Sequence, residues 1–270
     1  MAHDAHMLRH LLRRATLVLA LLVALPLSAR AVTVAGQPSR AAALPPVVLW
    51  AGDNPQDLRF LEGRRVGIAF LACTLTLMPD KVATQPRLQP MTLPQDARTY
   101  PVVRIELDPS GKTPDLSPAR RHEIVTRLSN MAKLSGTRAV QIDFDAPASA
   151  RGFYRALLSD LRQELPDSTA LSMTAPLAWC MGEAWIRNLA VDEVVPTVYG
   201  ADRDELKRQL GLQKDFSCRS CRGSLGLSTG EPVWITRTTK RVYLHHEGSW
   251  TKEAFEATLA RLERGMPRGV

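Results

Sequence analysis

Eight short runs rich in branched and apolar residues recur along the chain, most of them followed by a helical pattern or a turn signal. They are Val47 to Trp50, Val66 to Leu77, Val102 to Asp108, Arg138 to Ala146, Ala170 to Thr174, Val191 to Tyr199, Ser224 to Ser228 and Arg241 to His245. Such alternation builds a parallel sheet with crossover helices, because parallel neighbours cannot be joined by a tight hairpin. Eight units in a chain of 270 residues predict an α/β fold, a (β/α)8 TIM-type barrel, close to the usual ~250 residues. An open doubly wound sheet is the nearest rival. No Gly-rich turn follows the first run, so its dinucleotide-binding form lacks support.

One unit breaks the rule. The stretch from Met78 through Pro101 contains five prolines and no helical periodicity, so an extended excursion or hairpin replaces the helix after strand two. Elsewhere the helix signals are ordinary. Asn54 to Leu61 reads as a short helix with Leu58 and Leu61 on one face. Ser117-Pro118 supplies an N-cap and a first-turn proline for a helix carrying Ile124, Leu128, Met131 and Leu134, ended by Gly136. Phe153, Leu157, Leu158 and Leu161 mark the helix after strand four, and Asp202 to Leu210 a polar helix after strand six. The last helix starts at Thr251, with Trp250 and Phe255 placed as a hydrophobic staple.

Strand four carries an unusual load. Side chains alternate along a strand, so Gln141, Asp143 and Asp145 share one face while Val140, Ile142 and Phe144 share the other. Asp143 and Asp145 would lie roughly 6.5 to 7 Å apart at Cα. Strand three repeats the arrangement with Arg104, Glu106 and Asp108 opposite Val103, Ile105 and Leu107. Each inward charge needs a partner. The plain reading is a salt-bridge layer of Arg104, Glu106, Gln141 and Asp143 inside the barrel.

The N-terminus has the order of a signal peptide over residues 1–31: Arg9, Arg13 and Arg14, then an apolar run from Leu17 to Leu27, then Ala29-Arg30-Ala31. That run is too short for a membrane anchor, so no stable span is expected after processing. A Pro- and Ala-rich linker over 32–45 leads to one domain over 46–270. The formal charge of +8 includes four arginines and one aspartate of that segment, which leaves +5. The remaining excess is scattered (Lys207-Arg208, Lys240-Arg241, Arg261, Arg264), which argues against nucleic acid. The expected location is therefore the periplasm or outside the cell.

Export also sets the chemistry of Cys73, Cys180, Cys218 and Cys221. An oxidising compartment favours a disulfide over a metal site. Cys218-x-x-Cys221 alone supplies two of the four ligands that a structural zinc wants, and His245 and His246 point to opposite strand faces. No metal or cofactor is expected. The pairing expected is Cys180 with Cys221, or alternatively Cys180 with Cys218, provided the loop before strand seven folds back over the barrel mouth. Cys73, inside an apolar strand, should stay reduced.

Val140 to Ala146, Arg151 to Leu158, Leu171 to Ala175 with Trp179-Cys180, Val194 to Tyr199, and Cys221 to Thr229 with Glu231-Pro232 together resemble a bacterial family catalogued as domain of unknown function 3142. The resemblance implies a fold and an exported location and names no reaction. A more distant similarity is to family 18 glycoside hydrolases, which end barrel strand four with Asp-x-Asp-x-Glu. Here Gln141, Asp143 and Asp145 stand at those positions, and Tyr199 stands for the tyrosine of their strand six. The similarity implies a glycan-directed site at the C-terminal mouth, where catalytic residues of such barrels gather. Asp145 is its candidate acid and Asp143 the orienting partner. Asp108 or Glu231 would be a further carboxylate, and Tyr199 and Trp179 the sugar-stacking aromatics. The alternative is a non-catalytic barrel that binds a glycan or an envelope partner.

Overall fold

The computed structural model describes residues 40–135, 137–200, 204, 208 and 215–265. The signal-like segment over 1–31 lies outside the described residues, as does most of the helix expected over Asp202 to Leu210. Eight parallel strands form the frame: β1 (Val47–Ala51), β2 (Val66–Leu77), β3 (Arg98–Leu107), β4 (Ala139–Asp143), β5 (Ala170–Pro176), β6 (Glu193–Thr197), β7 (Ser224–Ser228) and β8 (Arg241–His245). Each pairs with the next, and β1 pairs with both β2 and β8, Val47 lying opposite Val66 and Val242. The ring is therefore closed and has no free edge among these eight. Helices α1 (Pro118–Ser135), α2 (Arg151–Glu164), α3 (Leu177–Gly182) and α4 (Lys252–Gly265) follow β3, β4, β5 and β8.

Alternation along the strands sorts the two cores. Val140, Ile142 and Phe144 turn outward into one apolar cluster with Ile124 and Leu128 of α1 and Leu157 and Leu161 of α2, all buried. Val48, Ala69, Tyr100, Val102, Val195 and Tyr243 turn inward and pack together inside the ring. Local signals hold at the helix starts. Ser117 Oγ accepts the Arg120 amide at 3.2 Å and Thr251 Oγ1 the Ala254 amide at 3.1 Å, as N-caps should.

The interior is more polar than the branched aliphatic filling usual for such barrels. Glu193, 6% exposed, accepts from Ser172 Oγ (2.9 Å), Tyr243 OH (2.7 Å), Ser224 Oγ and Arg241 Nη1. Arg241 in turn donates Nε to Pro45 O (2.8 Å) and Nη2 to Ala41 O (2.6 Å) and Leu44 O (3.1 Å). These carbonyls belong to a 3-10 turn, Arg40–Ala43, and its exit, where Ala41 and Leu44 are buried. The last part of the expected linker is thus the closure of the barrel's lower end.

The structure corrects three expectations. Asn54 to Leu61 is not a helix: Gln56–Asp57 forms a two-residue strand paired with Met91–Thr92, and a 3-10 turn covers Arg59–Leu61. The amide of Leu58 is taken by Thr92 O at 2.9 Å, so a sheet bond replaces the helical one. Strand three starts earlier, at Arg98, and its Arg98 and Thr99 pair with Gly67 and Ile68 of β2 below the level where β4 begins. The expected salt-bridge layer is kept only in its Arg104–Asp143 pair. Gln141 bonds Trp50 and Ser172 inside the ring, Arg104 pairs with Asp143 at the mouth, and Glu106 is exposed.

The excursion is a hairpin with a tail. Val82–Pro86 runs antiparallel to β2, Cys73 opposite Pro86 through Leu77 opposite Val82. The β2–β3 register shifts between Leu71 and Cys73, and the Arg87 amide bonds the Ala72 carbonyl at 2.9 Å at that bulge. A bulge bends a strand locally, and from there β2, β3 and the hairpin strand continue beyond the ring.

Cys180 and Cys221 are disulfide-bonded across 5.8 Å at Cα, which settles the pairing left open above; Cys73 and Cys218 are free. The bond ties α3 to the 3-10 turn Arg219–Cys221 before β7. With a sequence separation of 41 between the cysteines, chain entropy assigns it roughly 3 to 4 kcal/mol. The Cys180→Ser/Cys221→Ser variant should lose about that much in urea unfolding. A loss under about 1 kcal/mol would contradict the estimate.

Candidate functional site at the barrel mouth

The C-terminal ends of the strands surround a cavity of about 100 Å³, lined by Trp50, Arg104, Asp143, Thr174, Tyr199 and His245 among others. Asp143 is the last residue of β4, and both its oxygens are engaged. Oδ1 accepts from Thr174 Oγ1 at 2.7 Å and Oδ2 from Arg104 Nε at 3.0 Å. Strand register produces this set, since Arg104 on β3 stands level with Asp143 on β4. The ion pair is only partly shielded, Arg104 being 48% and Asp143 26% exposed in their side chains.

Asp145 lies two residues beyond the strand end, where the backbone has left the sheet. Its side chain is exposed and makes no hydrogen bond among the described residues. Partial burial raises its pKa, and the charge of Asp143 raises it further, against a smaller lowering by Arg104. The pair is therefore asymmetric. One carboxylate is locked in an ion pair, and its neighbour has no hydrogen-bond partner among the described residues and holds its proton to higher pH than usual.

Aromatic rings form the opposite wall. Tyr199 stacks on His245 (5.2 Å between centroids, 18° between planes) and meets Trp50 edge-on at 6.4 Å. Burial, with help from Asp143 and Asp145, pushes the Tyr199 pKa to about 12, so the hydroxyl stays a neutral donor. Burial also lowers the His245 pKa, and His246 lowers it further. Trp50 Nε1 donates to Gln141 Oε1 at 2.7 Å, which continues to Ser172 and Glu193, so the wall is anchored to the interior network. Gly226 makes room for Trp50: a Cβ there would sit 2.6 Å from the indole.

The other expected residues are placed differently. Trp179 is buried on α3, with its ring 4.5 Å from Trp185 and Arg151 above it at 5.6 Å. It packs the outer layer and does not line the cavity. Asp108 is also nearly buried, and its Oδ1 accepts the Ser110 amide at 2.9 Å, so the carboxylate stabilises a turn. That hydrogen bond lowers its pKa. Glu231 Oε1 accepts the Gly200 amide at 3.0 Å and fixes the loop just after Tyr199. Trp50, Thr174 and the mouth position of Arg104 were missed in the sequence. Trp50 and Thr174 stand near the C-terminal ends of β1 and β5, and that position is the only signal that marked them.

Asp143 is the only carboxylate lining the cavity among the described residues. No three His, Cys, Asp or Glu side chains converge among the described residues as a metal site would require. His246 Nδ1 bonds Thr229 Oγ1 at 2.9 Å, and Cys221 is used by the disulfide.

Fold and site together define a (β/α)8 barrel with an ion-paired aspartate and an aromatic wall at its C-terminal mouth. No family model and no curated protein matches the sequence. Among solved structures the chain is similar to the spore cortex-lytic enzyme SleL of Bacillus cereus (13% identity, TM-score 0.44) and to that of Bacillus megaterium QM B1551 (13%, TM-score 0.45). In both, the match covers 68% of this chain and 50% of the other. It is also similar to a chitinase of Rhizomucor miehei (13%, TM-score 0.42), over 68% of this chain and 69% of that one. The chain thus spans half the length of the two spore enzymes it matches. The barrel assignment rests on this chain's own strand order. Among the described residues no helix is long and apolar enough to cross a membrane.

Proposed function

We propose that the protein is a glycan-directed hydrolase, exported by its N-terminal segment, with Asp145 as the proton donor. The observation that carries this reading is the asymmetry of the aspartate pair: Asp143 held by Arg104 and Thr174, Asp145 without a hydrogen-bond partner among the described residues and with a raised pKa. Asp145 would protonate the oxygen of the scissile glycosidic bond as that bond to the anomeric carbon breaks. Asp143, ion-paired with Arg104, would face the positive charge developing on the sugar, and water would complete the hydrolysis. Tyr199 and Trp50 supply a hydroxyl donor and an apolar ring surface for the sugar face. Glu231 supports the Tyr199 loop.

A second reading has one observation in its favour. A cavity of about 100 Å³ is below the ~300–1,000 Å³ of usual ligand pockets, which suits a barrel that binds a glycan end or side group without turning it over. One experiment separates the two. The purified mature protein is incubated with a polysaccharide panel, and both released reducing ends and binding are measured for the wild type and Asp145→Asn. Wild-type hydrolysis lost in the variant supports the enzyme; binding without release by either protein supports the binding barrel.

Export rests on the order of basic, apolar and Ala-x-Ala segments in residues 1–31. N-terminal sequencing of the mature form is expected to begin at Val32. A membrane-bound product that keeps Leu21 to Leu27 would overturn it.

A further inference from the structure

The polar row that starts at the mouth continues past the barrel wall. Side chains at paired positions of neighbouring strands lie side by side on one face. Asp143 of β4 is level with Arg104 of β3, Arg104 with Thr74 of β2, and Thr74 with Gln85 of the hairpin strand. With strands ~4.8 Å apart, the row from Asp143 to Gln85 is roughly 14 Å long. A groove of about 170 Å³ follows its outer half, lined by Asp53, Thr74, Gln85, Arg87, Arg104 and Glu106 among others. It shares Leu71 and Arg104 with the mouth cavity, so the two are adjoining parts of one cleft.

The fold builds this groove deliberately in one respect: Arg87 secures the hairpin to the rim. Its guanidinium donates to the carbonyls of Gly52, Asn54 and Gln89. By contrast, the side chains of Asp53, Thr74, Gln85 and Glu106 make no hydrogen bond among the described residues. Their donors and acceptors are unspent and solvent-accessible.

We propose that this groove is a second sugar subsite, through which a neutral, hydroxyl-rich polysaccharide leaves the mouth and runs along the hairpin. The proposal rests on the glycan-directed reading of the mouth and names its substrate class. Two carboxylates (Asp53, Glu106) face two guanidinium groups (Arg87, Arg104) around the groove, so neither sign of charge is favoured and a ligand is held by hydrogen bonds. Amide, hydroxyl and carboxylate side chains in a row match the alternating donors and acceptors of successive sugar hydroxyls. The subsite makes affinity depend on chain length, because a sugar bound only at the mouth does not reach Gln85.

The test is calorimetric binding of β-1,4-linked glucose and N-acetylglucosamine oligomers, of two and of six units, to the wild type, Gln85→Ala and Glu106→Gln. Gln85 and Glu106 are exposed, so both substitutions spare the core. The wild type is expected to bind a hexamer more tightly than its dimer, and each variant to shrink that ratio roughly 3- to 10-fold, the worth of one hydrogen bond. A hexamer that binds with a ratio unchanged in both variants overturns the subsite and leaves the mouth reading intact. If no oligomer of either length binds the wild type, the mouth reading falls and the subsite with it. Tighter binding of a uronic-acid hexamer than of either neutral one overturns the neutral-chain assignment.

Discussion

Asp145→Asn is expected to reduce hydrolysis roughly 10²- to 10⁴-fold, the usual contribution of a positioned acid, without lowering the melting temperature. The amide keeps the size of the carboxyl group and removes its transferable proton. Asp145 is exposed and has no hydrogen-bond partner among the described residues, so nothing in the fold depends on its charge. The pH behaviour has a definite sign. Asp145 holds its proton more tightly folded than unfolded, because partial burial and Asp143 raise its pKa. Its favourable contribution is therefore complete below the ordinary carboxylate range and is lost as pH rises through the raised folded value. At neutral pH its ionised form slightly opposes folding, and the asparagine removes that repulsion. The variant should match or slightly exceed the wild-type melting temperature at pH 7 and show no advantage at acid pH. With Asp145 as the proposed proton donor, the same raised value is expected to set the alkaline limb of the activity profile, where the acid loses its proton. A variant with the full wild-type rate would remove Asp145 from the chemistry.

Arg241→Met should cost about 3 to 5 kcal/mol of folding stability, the range for a buried ion pair that loses one member. Glu193 would be left in the barrel interior without its ion-pair partner, with Ser172, Ser224 and Tyr243 as its remaining donors. The carbonyls of Ala41, Leu44 and Pro45 would lose the guanidinium that holds the lower end closed. Against a typical total of ~5 to 15 kcal/mol such a loss is large. Urea unfolding measures it. Glu193→Gln in the same background should restore part of it, because the amide removes the unbalanced charge; a double variant no better than the single one would assign the loss to the closure. A single-variant loss below about 1 kcal/mol would show that the network is not under that electrostatic constraint.

How far the sequence reaches is visible in strand four. Alternation alone places Val140, Ile142 and Phe144 outside and Gln141 and Asp143 inside, because the two-residue period is a property of any extended chain. The same local rules determined the eight strands, the N-cap at Ser117, the helix start at Thr251, and an extended excursion or hairpin in place of a helix where prolines forbid one. They act over a few residues and are written in composition and spacing. The site is a different kind of object. Arg104 meets Asp143 across 39 positions, Thr174 meets it across 31, and Trp50 and Tyr199 become neighbours only when β1 closes the ring. Register decides those meetings, and a shift of one residue would turn each side chain to the other face. Trp179 shows the same limit from the other side: next to Cys180 at the end of strand five, it reads as a mouth residue until α3 turns it into the outer layer. The sequence by itself determined the strands and which faces they bury. Only the closed tertiary structure decided which strand ends share a level, because that depends on the pairing of segments far apart in the chain.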